Sequence, residues 1–284
     1  MHAAARAGSV GPVAVGRLAP TPSGFLHLGN ALAFGAAFLA ARDAGGRLLL
    51  RIEDIDRERS RPEVEAGIRE DLAWLGIHYD EEVPRQSHRH YSTEGLPTYR
   101  CDCNRRRRLA GRCECRAAPP PTGMVRFATP PGTVHFEDRA LGPQRIEPGA
   151  DPVLLSREGA PLYNLAVVLD DIRDGVTQVV RGADLLEQTA VQLRLYEALG
   201  ASPPTYTHVP VLLGPDGKKL SKSHGSLEIR ALREAGWTPA AIWRRLLPLL
   251  GLPPVDLADA PPWDPRRSQR GPVSVSELLG RSLR

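Results

Sequence analysis

The sequence predicts an α/β fold organised on a parallel sheet, and three features of its first eighty residues carry that expectation. Short apolar strand-like runs alternate with longer segments of helical period. Proline and glycine mark the junctions between them. The order β-α-β-α-β needs crossover connections, which place strands parallel with helices on the faces of the sheet.

Val13, Val15 and Leu18 read as a short buried strand, and Pro20, Pro22 and Gly24 force an irregular loop after it. From Leu28 the pattern turns helical through Ala31, Leu32, Phe34, Ala36, Ala37, Phe38, Leu39 and Ala41, with Gly35 the one breaker. Gly45-Gly46 turns the chain into a buried strand from Arg47 to Asp54 that ends in acids. Ser60-Arg-Pro62-Glu63 has the form of a capping box with proline in the first turn. It opens a helix with Val64, Ile68, Leu72 and Leu75 on one side. Ile77-His-Tyr-Asp-Glu reads as a further strand.

Residues 83–134 look irregular and form an insertion between two halves of the sheet. Two antiparallel strands are expected near 134–146 and 152–157. Tyr163 to Asp171 is a nearly unbroken apolar run ending in acids, either a central strand or a buried helix. Thr177–Gly182 is a strand, Asp184 caps a helix reaching about Leu199, and Tyr206–Leu213 is the last strand. Thr238-Pro239 starts a helix through Leu250, and a proline-rich stretch with a short helix at Ser276–Leu279 follows. Residues 1–12 read as a flexible tail.

At 284 residues, with 42% apolar and 25% charged residues, the chain suits a globular protein with an ample core. A net charge of +4 permits an anionic partner without demanding one. No apolar run reaches spanning length, and Met1-His-Ala-Ala-Ala-Arg has no hydrophobic signal core, so a cytoplasmic protein off the membrane is expected.

The loop into the first helix is where ligand chemistry is expected. A strand–loop–helix junction aims free backbone N–H groups and the positive end of the helix dipole at one point, which suits a phosphate. Gly29 lets a ligand approach, and His27 stands beside that point as a donor. The segment Lys218-Lys-Leu-Ser-Lys222-Ser223 after the last strand offers lysine charges and serine hydroxyls that suit a triphosphate. All four cysteines fall in Cys101-Asp-Cys103 and Cys113-Glu-Cys115. Two such pairs can place four thiolates tetrahedrally around one structural zinc, the alternative being four free thiols. The run Arg105–Arg108 beside them suits either a nucleic-acid backbone or plain solvation.

Pro20-Thr-Pro-Ser-Gly-Phe-Leu-His27-Leu-Gly29-Asn30 resembles the HIGH signature of class I aminoacyl-tRNA synthetases, and Lys219-Leu-Ser221-Lys222-Ser223 resembles their KMSKS signature. Arg17-Leu-Ala-Pro-Thr21, Arg51-Ile-Glu53-Asp54, Tyr163-Asn164 and Arg181-Gly182-Ala183-Asp184 are similar to the glutamyl branch. The resemblance covers roughly residues 13–250. It implies a Rossmann-like catalytic domain from 13–82 and 151–235, an inserted acceptor-type subdomain with a zinc site from 83–150, and a truncated helical stem-contact region from 236–284. It implies that His27, Asn30 and Lys222 act in catalysis and that His27, Gly29, Asn30, Lys219, Ser221 and Lys222 bind ATP with its Mg2+. Arg17, Thr21, Glu53, Tyr163 and Arg181 would bind glutamate, with Arg17 and Arg181 on its two carboxylates and Glu53 on its ammonium group. A mutual Glu53–Arg181 ion pair is the bland alternative. Only about sixty residues follow Ser223, which leaves no room for an anticodon-reading domain. That shortness is similar to the branch that places glutamate on queuosine in tRNA(Asp). A monomer is expected. A truncated enzyme charging a tRNA 3′ end and a non-catalytic nucleotide-binding paralogue are the competing readings.

Overall fold

The structure is a computed structural model that describes residues 13–104, 106–107, 113–220 and 227–279. The first strand, β1 (Val15–Leu18), is buried along its whole length. It pairs in parallel with β2 (Arg47–Leu50), Val15 opposite Arg47. The crossover between them is α1 (Leu28–Asp43), whose alanine and leucine side chains are buried on several sides. The ladder is shorter than the expected strand through Asp54. Beyond Leu50 the chain follows the loop after β1 instead, Arg51 N donating to Leu18 O and Glu53 N to Pro20 O. The next strand, β3 (Glu81–Glu82), is also shorter than expected. Just before it, the Asp80 carboxylate accepts from Leu48 N at 2.7 Å, so a side chain stands in for a ladder partner.

Between β2 and β3, α2 (Pro62–Trp74) buries Val64, Ile68 and Leu72, with proline in its first turn. The expected capping box does not form: the residue at the cap is Arg61, which makes no side-chain cap. Ser60 Oγ donates instead to Asp56 O at 2.8 Å, a local bond that competes with capping. On the inner side of α2 Asp71 is buried, and its Oδ2 has no hydrogen-bond partner. Burial pushes this carboxyl up to about 7, against the pull of Arg233 and Arg230. A raised carboxyl favours the folded state at low pH, and that stability is lost as pH rises from about 4 through 7. Asp71→Asn should therefore raise the melting temperature at pH 8 by a few degrees, the two proteins converging as pH falls toward 4, in paired thermal melts across that range.

The apolar run after Tyr163 is a helix, α3 (Tyr163–Arg173), burying Leu165 through Val168. On a strand Asp170 and Asp171 would point to opposite faces. On the helix they lie 4.0 and 2.7 Å from one buried guanidinium, that of Arg51. The next βαβ unit is β9 (Gln178–Gly182), α4 (Leu186–Ala198) and β10 (Thr205–Val209), the two strands fully in parallel register. Asp184 does not cap α4. It sits in a 3-10 turn, Ala183–Leu185, and Leu185 takes the cap position. The expected last strand breaks at Pro210, which cannot donate to a ladder. Beyond it β11 (Leu212–Leu213) pairs with β12 (Val273–Ser274).

Residues 134–146 form a hairpin by themselves, β6 (Val134–Asp138) with β7 (Gly142–Ile146), turning through a positive-φ Gly142. The expected partner near 152–157 is β8 (Val153–Leu155), which pairs instead with β5 (Met124–Phe127). With β4 (Thr98–Cys101) these strands make a separate antiparallel sheet. The β6 strand meets β10 through Tyr206 and Asp138. Thr177 N donates to Val15 O at 2.9 Å and brings β9 beside β1. The neighbours across the molecule are then β3-β2-β1, β9-β10-β6-β7. Winding runs outward from β1 to β2 on one side and from β9 to β10 on the other, so the switch point lies between β1 and β9, where open α/β sheets bind ligands.

After α5 (Ile229–Glu234), Thr238 Oγ1 caps α6 (Pro239–Leu246) as expected. The α-helix stops before Leu250 and gives way to a 3-10 turn, Leu247–Leu250, where Pro248 lacks an N–H. The short last helix, α7 (Val275–Leu279), and Trp263 join the same core as α1. Trp243 is 1% exposed and donates from Nε1 to Leu75 O. A Cβ on Gly35 would lie 2.4 Å from its Cη2. The glycine that looks like a helix breaker is the notch that admits this ring. Gly35→Ala should cost about 1–3 kcal/mol, read as a lower urea midpoint. No helix among the described residues is long and apolar enough to cross a membrane.

Candidate functional site

At the β1/β9 switch point lies a cavity of about 470 Å3. It gathers side chains from the ends of three strands and the start of two helices. Arg17 and Thr21 come from β1 and its loop, Glu53 from the segment after β2, and Tyr163 from the start of α3. Arg181 comes from β9, and His27, Gly29 and Asn30 from the start of α1. Lys219 reaches the rim. Ser221 and Lys222 fall outside the described residues, but their flanks are placed. Leu220 N donates to Leu212 O, and Ile229 N donates to Leu26 O beside a bridge between His27 and Glu228.

The start of α1 differs from the expected open phosphate nest. His27 Nδ1 accepts from Gly29 N at 3.1 Å and Asn30 N at 3.3 Å, and Asn30 Oδ1 accepts from His27 N at 3.0 Å. Those amides are occupied by the cap. With Nδ1 an acceptor, the imidazole proton belongs on Nε2, and Asn30 keeps its Nδ2 donors. Gly29 serves the cap as well as any ligand: a Cβ there would lie 3.0 Å from His27 Cε1.

Glu53 is 7% exposed, and its ion-pair partner is Arg51 at 3.3 Å, not Arg181. Burial raises its pKa, while Arg51 and Arg17 pull it down. Arg51 itself has no exposed surface and also meets Asp171 and Asp174, at 2.7 and 2.9 Å. Arg17 lies 3.5 Å from Asp171. Buried charges of both signs therefore hold one another beneath one wall of the cavity.

Arg181 is different. It is 6% exposed, and its hydrogen-bond partners among the described residues are all neutral. Its Nε donates to His208 Nε2 at 3.2 Å, Nη1 to Tyr163 Oη at 3.4 Å, and Nη2 to Thr189 Oγ1 at 2.8 Å and Leu185 O at 3.3 Å. The guanidinium lies 5.2 Å from the centre of the Tyr206 ring. Among the described residues no carboxylate pairs with it. A buried cation lined up along a cavity wall is a receptor for an anion. At the rim Lys219 pairs with Asp184. A Cβ on Gly182 would lie 2.5 Å from Asp184 Oδ1, so a larger residue there would have to turn the Asp184 carboxylate aside.

The cysteines converge at the end of β4. Their four Sγ atoms lie within 4.8 Å of one another, with Cys101–Cys113 at 3.6 Å and Cys103–Cys115 at 3.5 Å. A tetrahedral zinc with Zn–S bonds near 2.3 Å needs sulfur separations of about 3.8 Å, so the donor set fits in number, type and spacing. Arg126, 2% exposed, donates to Cys113 Sγ at 3.2 Å. Of the arginine run, Arg106 and Arg107 are exposed, and Arg105 and Arg108 lie outside the described residues.

Sequence reasoning missed Asp138, His208 and Arg51. His208 stands in a strand and carried no motif. Arg51 opens the Arg51-Ile-Glu53-Asp54 motif but was given no role of its own.

The family model for the catalytic domain of class I tRNA synthetases of the E and Q type matches residues 13–97 and 99–260. The Glutamyl-Q tRNA(Asp) synthetase of Nitratidesulfovibrio vulgaris is 43% identical over 288 residues, 87% of this chain and 89% of that protein. The Glutamate–tRNA ligase 2 of Halorhodospira halophila is 40% identical over 264 residues, 82% of this chain but 56% of that protein. The crystal structure of the glutamate-tRNA synthetase from Elizabethkingia anophelis superposes with a TM-score of 0.76 at 25% identity, over 92% of this chain and 68% of that one.

Proposed function

The chain belongs to the class I tRNA synthetases of the glutamyl and glutaminyl type, and from that premise we propose that it activates L-glutamate with ATP and transfers it to queuosine in the anticodon loop of tRNA(Asp). The observation that carries the glutamate reading is Arg181, buried and with only neutral partners among the described residues. A glutamate side-chain carboxylate completes it. Glutamine would leave the cation poorly paired, which is how such a site rejects an isostere. Glu53 accepts from the α-ammonium, Tyr163 orients the side chain, Arg17 adds positive charge, and Thr21 supplies a hydroxyl.

The glutamate α-carboxylate attacks the α-phosphorus of ATP, forming glutamyl-adenylate and releasing pyrophosphate. A queuosine hydroxyl then attacks the adenylate carbonyl and AMP leaves. His27 Nε2, Asn30 Nδ2 and Lys222 neutralise charge on the phosphoryl oxygens, with Lys219 and Ser221 helping to hold the nucleotide and Gly29 leaving room for it. Mg2+ supplies further neutralisation when it enters with ATP. Catalysis occupies 13–82 and 151–235. Residues 83–150 carry a structural zinc on Cys101, Cys103, Cys113 and Cys115, and 236–284 supports the tRNA. The enzyme works as a monomer, and a tRNA substrate makes the cytoplasm its compartment.

Similarity along most of the length of a Glutamyl-Q tRNA(Asp) synthetase supports the queuosine step. Identity of 40% to a glutamate–tRNA ligase favours a second reading, charging of a tRNA 3′ end. The test is transfer of labelled glutamate to tRNA(Asp) with and without queuosine, and to tRNA(Glu). Label is expected only on queuosine-containing tRNA(Asp). Label on tRNA(Glu) would establish the second reading instead.

A further inference from the structure

Arg181 does not hold its position alone. Its Nε–H is received by His208 Nε2 at 3.2 Å, and His208 Nδ1 lies 2.6 Å from Asp138 Oδ2. Both His208 and Asp138 are buried, at 0% and 1% exposure. They come from different parts of the chain: Asp138 ends β6 of the hairpin, 70 residues before His208 on β10. Neither lines the cavity itself, so neither meets substrate. The arrangement is a three-member line, carboxylate to imidazole to guanidinium, ending at the cavity.

We propose that Asp138 and His208 are positioning residues that set glutamate specificity, by fixing the imidazole tautomer whose Nε2 lone pair aims the Arg181 guanidinium into the amino-acid site. This rests on the reading of Arg181 as the receptor for the glutamate side chain.

The chemistry follows from which atoms can donate. An arginine has only donors, so His208 Nε2 must be an acceptor to face Nε–H. A neutral imidazole then carries its proton on Nδ1, where an ionised carboxylate receives it. Burial holds the imidazole below its ordinary pKa, and Arg181 adds to that, so it stays neutral against the opposing pull of Asp138. Burial works to raise Asp138 too, but the His208 bond and the Leu141 and Ala140 amides outweigh it, and the carboxyl sits below the usual range.

Asp138 is also oriented. Its Oδ1 accepts from Leu141 N at 2.9 Å, Ala140 N at 3.0 Å and His208 N at 3.3 Å. Those amides fix which end of the side chain must be oxygen. In Asp138→Asn the carbonyl stays on the amides and the NH2 is turned toward His208. Nδ1 must then accept, the proton moves to Nε2, and two donors face each other at Arg181. The guanidinium is displaced without any change at the cavity wall.

The experiment is glutamate-dependent ATP–pyrophosphate exchange for wild type, Asp138→Asn, His208→Leu and His208→Gln, with glutamine as competitor substrate and ring 15N shifts read for His208. Asp138→Asn and His208→Leu are expected to raise KM for glutamate on the order of 10- to 100-fold, to lower the glutamate-over-glutamine preference, and to leave KM for ATP unchanged. His208→Gln, which keeps a carbonyl acceptor near Nε2, should recover part of the loss. The 15N shifts should show Nδ1–H in wild type and Nε2–H in Asp138→Asn. A wild-type KM and preference in Asp138→Asn, or an unaltered tautomer, overturns the proposal. Wild-type protein that activates glutamine as readily as glutamate would instead overturn the reading of Arg181 on which it rests. A variant whose KM for ATP rises in parallel with that for glutamate marks general loss of structure and also counts against a positioning role.

Discussion

Arg181→Gln is expected to lower kcat/KM for glutamate in pyrophosphate exchange by roughly 10^2- to 10^3-fold, the range for removing one member of a buried charge pair, while ATP binding holds. In the free protein the guanidinium is satisfied by His208, Tyr163, Thr189 and a backbone carbonyl, none of them charged. The missing element is the counter-charge, and the substrate brings it. The change therefore removes more interaction from the complex than from the free enzyme. Arg181→Lys separates charge from geometry. A lysine retains the charge, yet its ammonium on a flexible stem cannot reproduce the planar fork that meets His208 on one edge and a carboxylate on another. Its activity should fall between wild type and Arg181→Gln. Unchanged glutamate kinetics in Arg181→Gln would remove this residue from the substrate site.

The alternation of the first eighty residues and the thiol spacing were legible because each signal is local or carried by a motif. Arg17, Glu53, Tyr163 and Arg181 do line one cavity. What escaped was set by distance or by competition. The switch point exists because Thr177 meets Val15, 162 positions away. The Asp138–His208 bond spans 70 positions. No periodicity reports either. Tyr163–Asp171 shows no clear period because the helix is buried on several sides, and only the need of Arg51 for partners separates helix from strand. The Ser60 capping box failed because a neighbouring carbonyl took the hydroxyl. Gly35 looked like a weakness in α1 because its reason, Trp243, lies far along the chain on α6.

The second large effect is expected at the cysteines, and it follows from what that region lacks. The sheet β4-β5-β8 has strands of three and four residues. Next to β4 the buried cluster consists of Cys101, Cys103 and Cys115, with Tyr99 and Cys113 against it. Among the described residues the thiols are themselves the core there, so a metal that ties them together is what holds β4 and the residues around Cys113 and Cys115 in place. Structural zinc in small sites contributes about 10–16 kcal/mol of apparent binding energy that appears as folding energy. Purified, reduced protein should hold one zinc per chain. Cys115→Ser should lose it, become protease-sensitive between β4 and β5, and lose transfer to tRNA more completely than pyrophosphate exchange, because the cavity side chains lie on other elements. Arg126→Met probes the same site from outside the ligand set. A zinc tetrathiolate carries a net charge of about −2, and Arg126, donating to Cys113, offsets part of it. That variant should keep its zinc but surrender it faster to a chelator, since uncompensated thiolates are more readily protonated and oxidised. Metal analysis that finds no zinc in reduced wild-type protein would refute the assignment. Equal release rates for wild type and Arg126→Met would leave the metal in place but remove the arginine from its support.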